Sequence, residues 1–318
     1  MRLAIALLFA TVMGLPAAVQ AQDYPNRPIR LILGPSPEAT PRLIAERLHR
    51  ELGQPVVVEP RLGAGGEIAA KSVSSADPDG YTLLYASSNF TLATAMQLGS
   101  FDFGKDFEPI ARVGTSAYVL VVNPDLPVKT PEELIALVKS KPGELNCGSS
   151  GMATPGHLSC EMLKGMAGMD IVHVPFRNAT ASMNGLVANQ VQLAVSVSTA
   201  ARGQIESGAV RGLAVTTAEP SPLVPGLPAL QTVIPGFVVQ GWGSFVAPKG
   251  TPRPIIDKLN AAIIKIIQDP EVNAKLLAGG LQPSPPHTPE DFGKFIHDEI
   301  ARWNRTIDLA NVRRGKPM

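Results

Sequence analysis

Short apolar runs alternate with amphipathic helical stretches along almost the whole chain, and this alternation restricts it to an α/β fold with a mainly parallel sheet. Residues 29–33 read as a buried strand, with a helix over 43–52 behind it; Thr40 is the expected N-cap and Pro41 the first helical residue. Strands follow at 56–58 and 81–86, the latter ending in Ser87-Ser88-Asn89, with a helix over 67–74 between them. A strand at 118–122 leaves this first unit, and a helix starts at Pro131 behind Thr130 as cap. Short strands at 145–148, 171–175, 193–197 and 212–216 are separated by helices. The pattern then returns through 238–247 to helices over 254–268 and 289–309. This order predicts one lobe from residues 22–120 and 240–318 and a second, 121–239, inserted between them. The cleft between two such lobes is where small molecules bind.

Residues 1–21 carry an export signal: Arg2 supplies the charge, residues 3–12 the apolar run and Val19-Gln20-Ala21 the cleavage pattern. No later stretch approaches the roughly 20 apolar residues that a membrane helix needs. With Arg2 gone, 27 basic residues balance 27 acidic ones and no basic tract remains, which argues against nucleic acid or an anionic membrane as partner. Thirty prolines and 29 glycines are scattered between apolar segments, as tight loop junctions require, and only residues 312–318 read as a frayed end. Cys147 and Cys160 could form one disulfide in an oxidising compartment or stay as two buried thiols; the sequence leaves both open. The histidines, at 49, 157, 173, 287 and 297, form no pair with metal-ligand spacing, and no cofactor or metal is expected.

The richest segment is 144–178. A strand runs into Gly148-Ser149-Ser150-Gly151 with a helix opening behind it, which aims N–H groups and a positive helix end at one point, where an anion would settle. A hydrolase elbow needs Gly-x-Ser-x-Gly, which Ser149 and Ser150 miss by one residue, and His157 falls on the following helix, where packing or capping suits it better than catalysis. The glycine run 63–66 matches no phosphate-binding pattern and reads as a turn into a helix. Phe176-Arg177-Asn178 follows a strand and either presents a ring, a cation and an amide to a ligand or forms a surface turn with Phe176 packed beneath it. Arg177 is the only charge near these loops able to neutralise a carboxylate.

Residues 24–32, Gly53-Gln54-Pro55-Val56-Val57-Val58-Glu59 and Asp77-Pro78-Asp79-Gly80-Tyr81-Thr82 resemble the Bug family, the extracytoplasmic solute-binding proteins of tripartite tricarboxylate transporters. Lys141-Pro142-Gly143, His157-Leu158, Val174-Pro175-Phe176 and Ala247-Pro248-Lys249-Gly250-Thr251-Pro252 continue the match in order over nearly the whole mature chain. The resemblance implies a two-lobed periplasmic binding protein fold of type II and no catalysis. The implied role is capture of a small organic acid, dicarboxylate or aromatic carboxylate, for delivery to membrane permease subunits by a monomeric receptor. It also implies ligand contacts from Ser149, Ser150, Gly151 and Thr154, from Phe176, Arg177 and Asn178, from Ser87, Ser88 and Asn89, and from Ser36 and Glu38 in the loop after strand one.

That first loop departs from the family pattern. Residues 34–41, Gly-Pro-Ser-Pro-Glu-Ala-Thr-Pro, stand where the family has a Pro-Phe stretch, a glycine pair and an Asp; Glu38 falls opposite that Asp and either meets the ligand or braces the first helix. Three prolines there remove backbone donors. Gln192 and Ser196 replace residues that are commonly acidic, and Cys147 stands where Tyr is usual. These departures point to an altered ligand at a site that includes Ser196. The alternative from another class is a sensory or scavenging module of the same fold with a non-carboxylate ligand.

Overall fold

The computed structural model describes residues 24–34, 38–61, 63, 66–152 and 154–309. Residues 1–23, where the export signal is expected, Ser36 and the chain end after Leu309 lie outside the described residues. The elements are β1 (Ile29–Leu33), α1 (Ala39–Leu52), β2 (Val56–Pro60), α2 (Glu67–Ser74), β3 (Thr82–Ser87), α3 (Ser88–Ala95), β4 (Phe107–Val122) and α4 (Pro131–Ser140). Next come β5 (Leu145–Ser149), α5 (Pro155–Ala167), β6 (Ile171–Pro175), α6 (Ala179–Val187), β7 (Leu193–Val197), α7 (Ser198–Glu206) and β8 (Arg211–Val215). Last are β9 (Gln240–Pro248), α8 (Arg253–Gln268), α9 (Pro270–Ala278), β10 (Gln282–Pro283) and α10 (Pro289–Leu309).

The strands lie in the order β2-β1-β3-β9-β4-β7-β5-β6, with β8 and β10 also on β4. The two wings, β2-β1-β3 and β7-β5-β6, are internally parallel as an α/β pattern requires, and each is joined antiparallel to the centre. β4 makes the crossing: its residues 107–117 pair with β9, and 118–122 with β7 and β8. Only the second part of β4 is evident in the sequence, because Pro109 and Gly114 interrupt the apolar run. Register shifts between Pro109 and Ala111 and between Arg112 and Gly114 let the strand continue past both.

Burial follows the same division. Ile29, Leu31, Leu83, Phe245 and Leu259 belong to a core around β1, β3 and α8. Leu120, Leu145, Leu163 and Leu193 belong to another, around β5, β7 and α5. Leu92 of α3 and Met96 at its end, and Trp303 and Ile307 of α10, pack into this second core although they come from the outer chain segments.

α1 corrects the expected cap. It starts at Ala39, so Thr40 lies in the first turn and Glu38 takes the N-cap position without a side-chain cap bond. Pro41 is still tolerated there, since first-turn N–H groups have no helical partner. Thr130 does cap α4, accepting from the Glu133 N–H, and Asp269 caps α9 in the same way. Cys147 and Cys160 are bonded, tying β5 to α5.

Candidate functional site

The pairing registers bring two strand ends face to face. Ser87, the last residue of β3, pairs with Gly243, which pairs with Gly114 of β4; Val197, the last of β7, pairs with Tyr118. β3 runs with β4 and β7 against it, so the two ends point at each other across the short stretch of β4 from 114 to 118. A helix begins at once from each end. α3 starts behind Ser87 and α7 behind Val197, and neither has a side-chain cap. Both therefore direct unsatisfied N–H groups and a positive helix end into the same gap.

That gap holds a cavity of about 200 Å³. Ser87, Ser88, Asn89, Ser116, Thr199 and Thr40 give its polar wall, and Tyr85, Tyr118, Trp242, Val197 and Leu281 its apolar one. No described residue lining it is charged. Among the described residues the Ser87 hydroxyl is buried without a hydrogen-bond partner, as are those of Ser196 in β7 and Ser198 at the start of α7. Burial raises the Tyr85 phenol above its ordinary range and pushes Tyr118 up to about 12, so both stay protonated donors. Gly243 is the condition for this arrangement, since a Cβ there would stand 2.0 Å from the Tyr85 hydroxyl.

Of the expected residues, Ser87, Ser88 and Asn89 line the cavity. β5 and β6 run parallel to β7, so residues 149–152, 154 and 176–178 share its strand-end edge but lie outside the cavity wall. Several of their side chains serve the local fold. Thr154 caps α5, accepting from the His157 N–H at 3.3 Å, and Asn178 caps α6, accepting from the Ala181 N–H at 2.8 Å. The Phe176 ring packs over Gly148 and Gly185. Ser149 is buried, with its hydroxyl 2.7 Å from His173 Nε2. Ser150 is half-buried and Arg177 exposed; among the described residues neither has a side-chain hydrogen bond or ion pair. Glu38 braces α1 through Arg42 at 2.6 Å, and Ser196 is buried opposite Val119.

Sequence reasoning missed Tyr85, Tyr118 and Trp242, whose strands read as core, and also Ser116, which precedes the strand read at 118–122, and Thr199 of α7. For Thr199 a signal exists: Val197-Ser198-Thr199 ends a strand and opens a helix just as Ser87-Ser88-Asn89 does.

A sheet of two wings, crossed by β4 and β9, with helix N-termini from both wings facing one uncharged cavity, defines the class of two-lobed periplasmic solute-binding proteins. The chain belongs to the tripartite tricarboxylate transporter receptor family, whose profile matches residues 40–312. Protein BugT of Bordetella pertussis is 34% identical over 309 residues, 95% of this chain and 94% of that protein. A Rhodopseudomonas palustris protein solved with adipate is 31% identical and superposes with a TM-score of 0.79 over 91% of this chain and 99% of its own. MatC of the same organism, solved with bound malate, gives 30% and 0.77 over 89% and 100%; the periplasmic binding protein BugD gives 29% and 0.77 over 92% and 100%. The family consists of receptors and not enzymes. Among the described residues no helix is long and apolar enough to cross a membrane.

Proposed function

We propose that this protein is a periplasmic receptor that closes on a small organic acid, a dicarboxylate or an aromatic carboxylate, and passes it to the membrane permease subunits of a tripartite tricarboxylate transporter. In this reading residues 1–21 are the cleaved export signal, residues 22–120 and 240–318 form one lobe, and residues 121–239 form the other. The observation that carries it is the meeting of two helix N-termini without side-chain caps, α3 and α7, at a cavity with hydroxyl and aromatic walls and, among the described residues, no charged lining. Such a site selects an anion through neutral donors. The adipate and malate held by two structural neighbours support the chemical class. Residues 149–151, 154, 176–178, 38 and 196 remain candidate contacts, and Ser36 with them.

Thermal-shift screening of acids, amides and amino acids tests the reading. A true ligand at 100 times its Kd adds about 2.7 kcal/mol. A response to amino acids alone would overturn the assignment. Small-angle scattering tests closure: the saturated protein is expected to be more compact than the free one, and an unchanged radius at saturation rejects the clamp.

A further inference from the structure

The turn between β5 and α5 is held by a closed set of contacts that runs through a histidine outside the cavity wall. Cys147 and His173 are register partners on parallel strands, so their side chains leave the same face of the sheet. α5 covers that face. It bonds Cys160 to Cys147 and lays His157, three residues earlier, against the His173 ring with centroids 4.3 Å apart. His173 Nε2 is 2.7 Å from the Ser149 hydroxyl, which accepts from the Gly151 N–H at 3.2 Å. The Gly151 carbonyl accepts from Thr154 Oγ1 at 2.8 Å, and Thr154 Oγ1 accepts from the His157 N–H, which closes the ring of contacts.

Ser149 is 1% exposed, and its hydroxyl is taken up by contacts within the turn. Ser150, next to it, is half-buried and has no side-chain hydrogen bond among the described residues.

We propose that His173 is a positioning residue: acting through Ser149, it fixes the Ser149–Gly151 turn and so leaves Ser150 as the group the turn presents. This rests on the reading of the strand-end edge as the ligand face. Burial, then His157, then Lys164 hold His173 down to about 4, so at neutral pH the ring is uncharged. Burial lowers His157 as well; Glu161 acts on it from α5, opposes that fall and is itself paired with Lys164 at 2.8 Å.

The test is hydrogen exchange of the full mature chain without ligand, comparing H173F, H173Q and S149A with the parent. H173F and S149A are expected to speed exchange in the 149–154 segment by about tenfold at pH 7 and to leave β1–β3 unchanged. H173Q, whose amide reaches the place of Nε2, restores protection. After correction for intrinsic rates, the parent loosens as pH falls through about 4 and H173Q does not. Unchanged protection in H173F, or H173Q as loose as H173F, overturns the proposal. If H173F fails to fold, S149A gives the same decision. Malate and adipate titrations run alongside separate the two readings: loosening of the turn supports His173 even where neither acid binds, and that absence of binding counts only against those acids.

Discussion

Gly280 and Thr199 meet across the two wings: a Cβ on Gly280 would stand 2.1 Å from the Thr199 methyl carbon, and Gly280 has a φ of +76°. The turn between α9 and β10 thus fits against the start of α7 only because no side chain intervenes. Both residues also border the cavity.

G280A therefore meets two obstacles, left-handed strain and a collision. It is expected to lose about 1–3 kcal/mol in denaturant unfolding. T199S, which removes the colliding methyl, should return part of that loss in the G280A background and little in the parent. Equal effects of T199S in both backgrounds would show that the contact is not what limits position 280.

The Cys147–Cys160 bridge closes a separation of 13 residues. Removing it as C147A/C160A frees the unfolded chain and is expected to cost about 3 kcal/mol, read as a lower denaturation midpoint. The parent under reductant should approach the variant, and a parent insensitive to reductant would contradict the bridge.

Trp303 comes from α10 but is fully buried in the core of β5, β7 and α5, with its indole N–H unpartnered among the described residues and the Arg302 guanidinium 4.3 Å above its ring. W303A should cost about 3–5 kcal/mol through the cavity it leaves. W303F keeps most of the packing and removes an unpaired buried donor, so a loss of about 1 kcal/mol is expected. Equal losses would mean that the N–H has a partner worth more than the ring.

The buried histidines contribute to the acid limb of stability. His173 is lowered to about 4 from 6.5, and His157 and His287 are lowered too, each first by burial. Between 6.5 and 4 the unfolded chain binds protons that the fold refuses. Stability is therefore full above pH 6.5 and falls as pH drops toward 4. Urea midpoints from pH 8 to 4 should show this slope, and H173Q should flatten it. A slope that is the same in H173Q would place the proton elsewhere.

What the sequence reveals divides along local and non-local lines. Strands β1, β6 and β7 and helix α10 have the residues read for them, because buried runs and a long amphipathic period are local signals. Ser87-Ser88-Asn89 is legible as a site for the same reason, being small hydroxyl and amide residues at a strand end. The facing of β3 and β7 is not legible: it depends on which residues of β4 each strand pairs with, and on register shifts around Pro109 and Gly114. Tyr85 and Trp242 look like core residues until that pairing turns them toward a cavity. The contacts of the Ser149 hydroxyl with Gly151 and His173 are not legible either, because they depend on the pairing of β5 with β6.

Gly243 offers the sharpest test of the cavity. Its missing side chain is what lets the Tyr85 hydroxyl lie over β9, so G243A must push the phenol out of place while leaving the β3–β9 ladder intact. A ligand identified by thermal shift is then expected to bind G243A at least about tenfold more weakly, a change of about 1.4 kcal/mol. Y85F keeps the ring and loses only the hydroxyl; one net hydrogen bond, about 1 kcal/mol, predicts a loss of about fivefold. G243A should thus exceed Y85F, because it displaces the wall as well as the donor. If calorimetry finds both variants with parental affinity and closure, the ligand lies elsewhere along the strand-end edge, and the Ser150 and Arg177 side of the gap becomes the place to look.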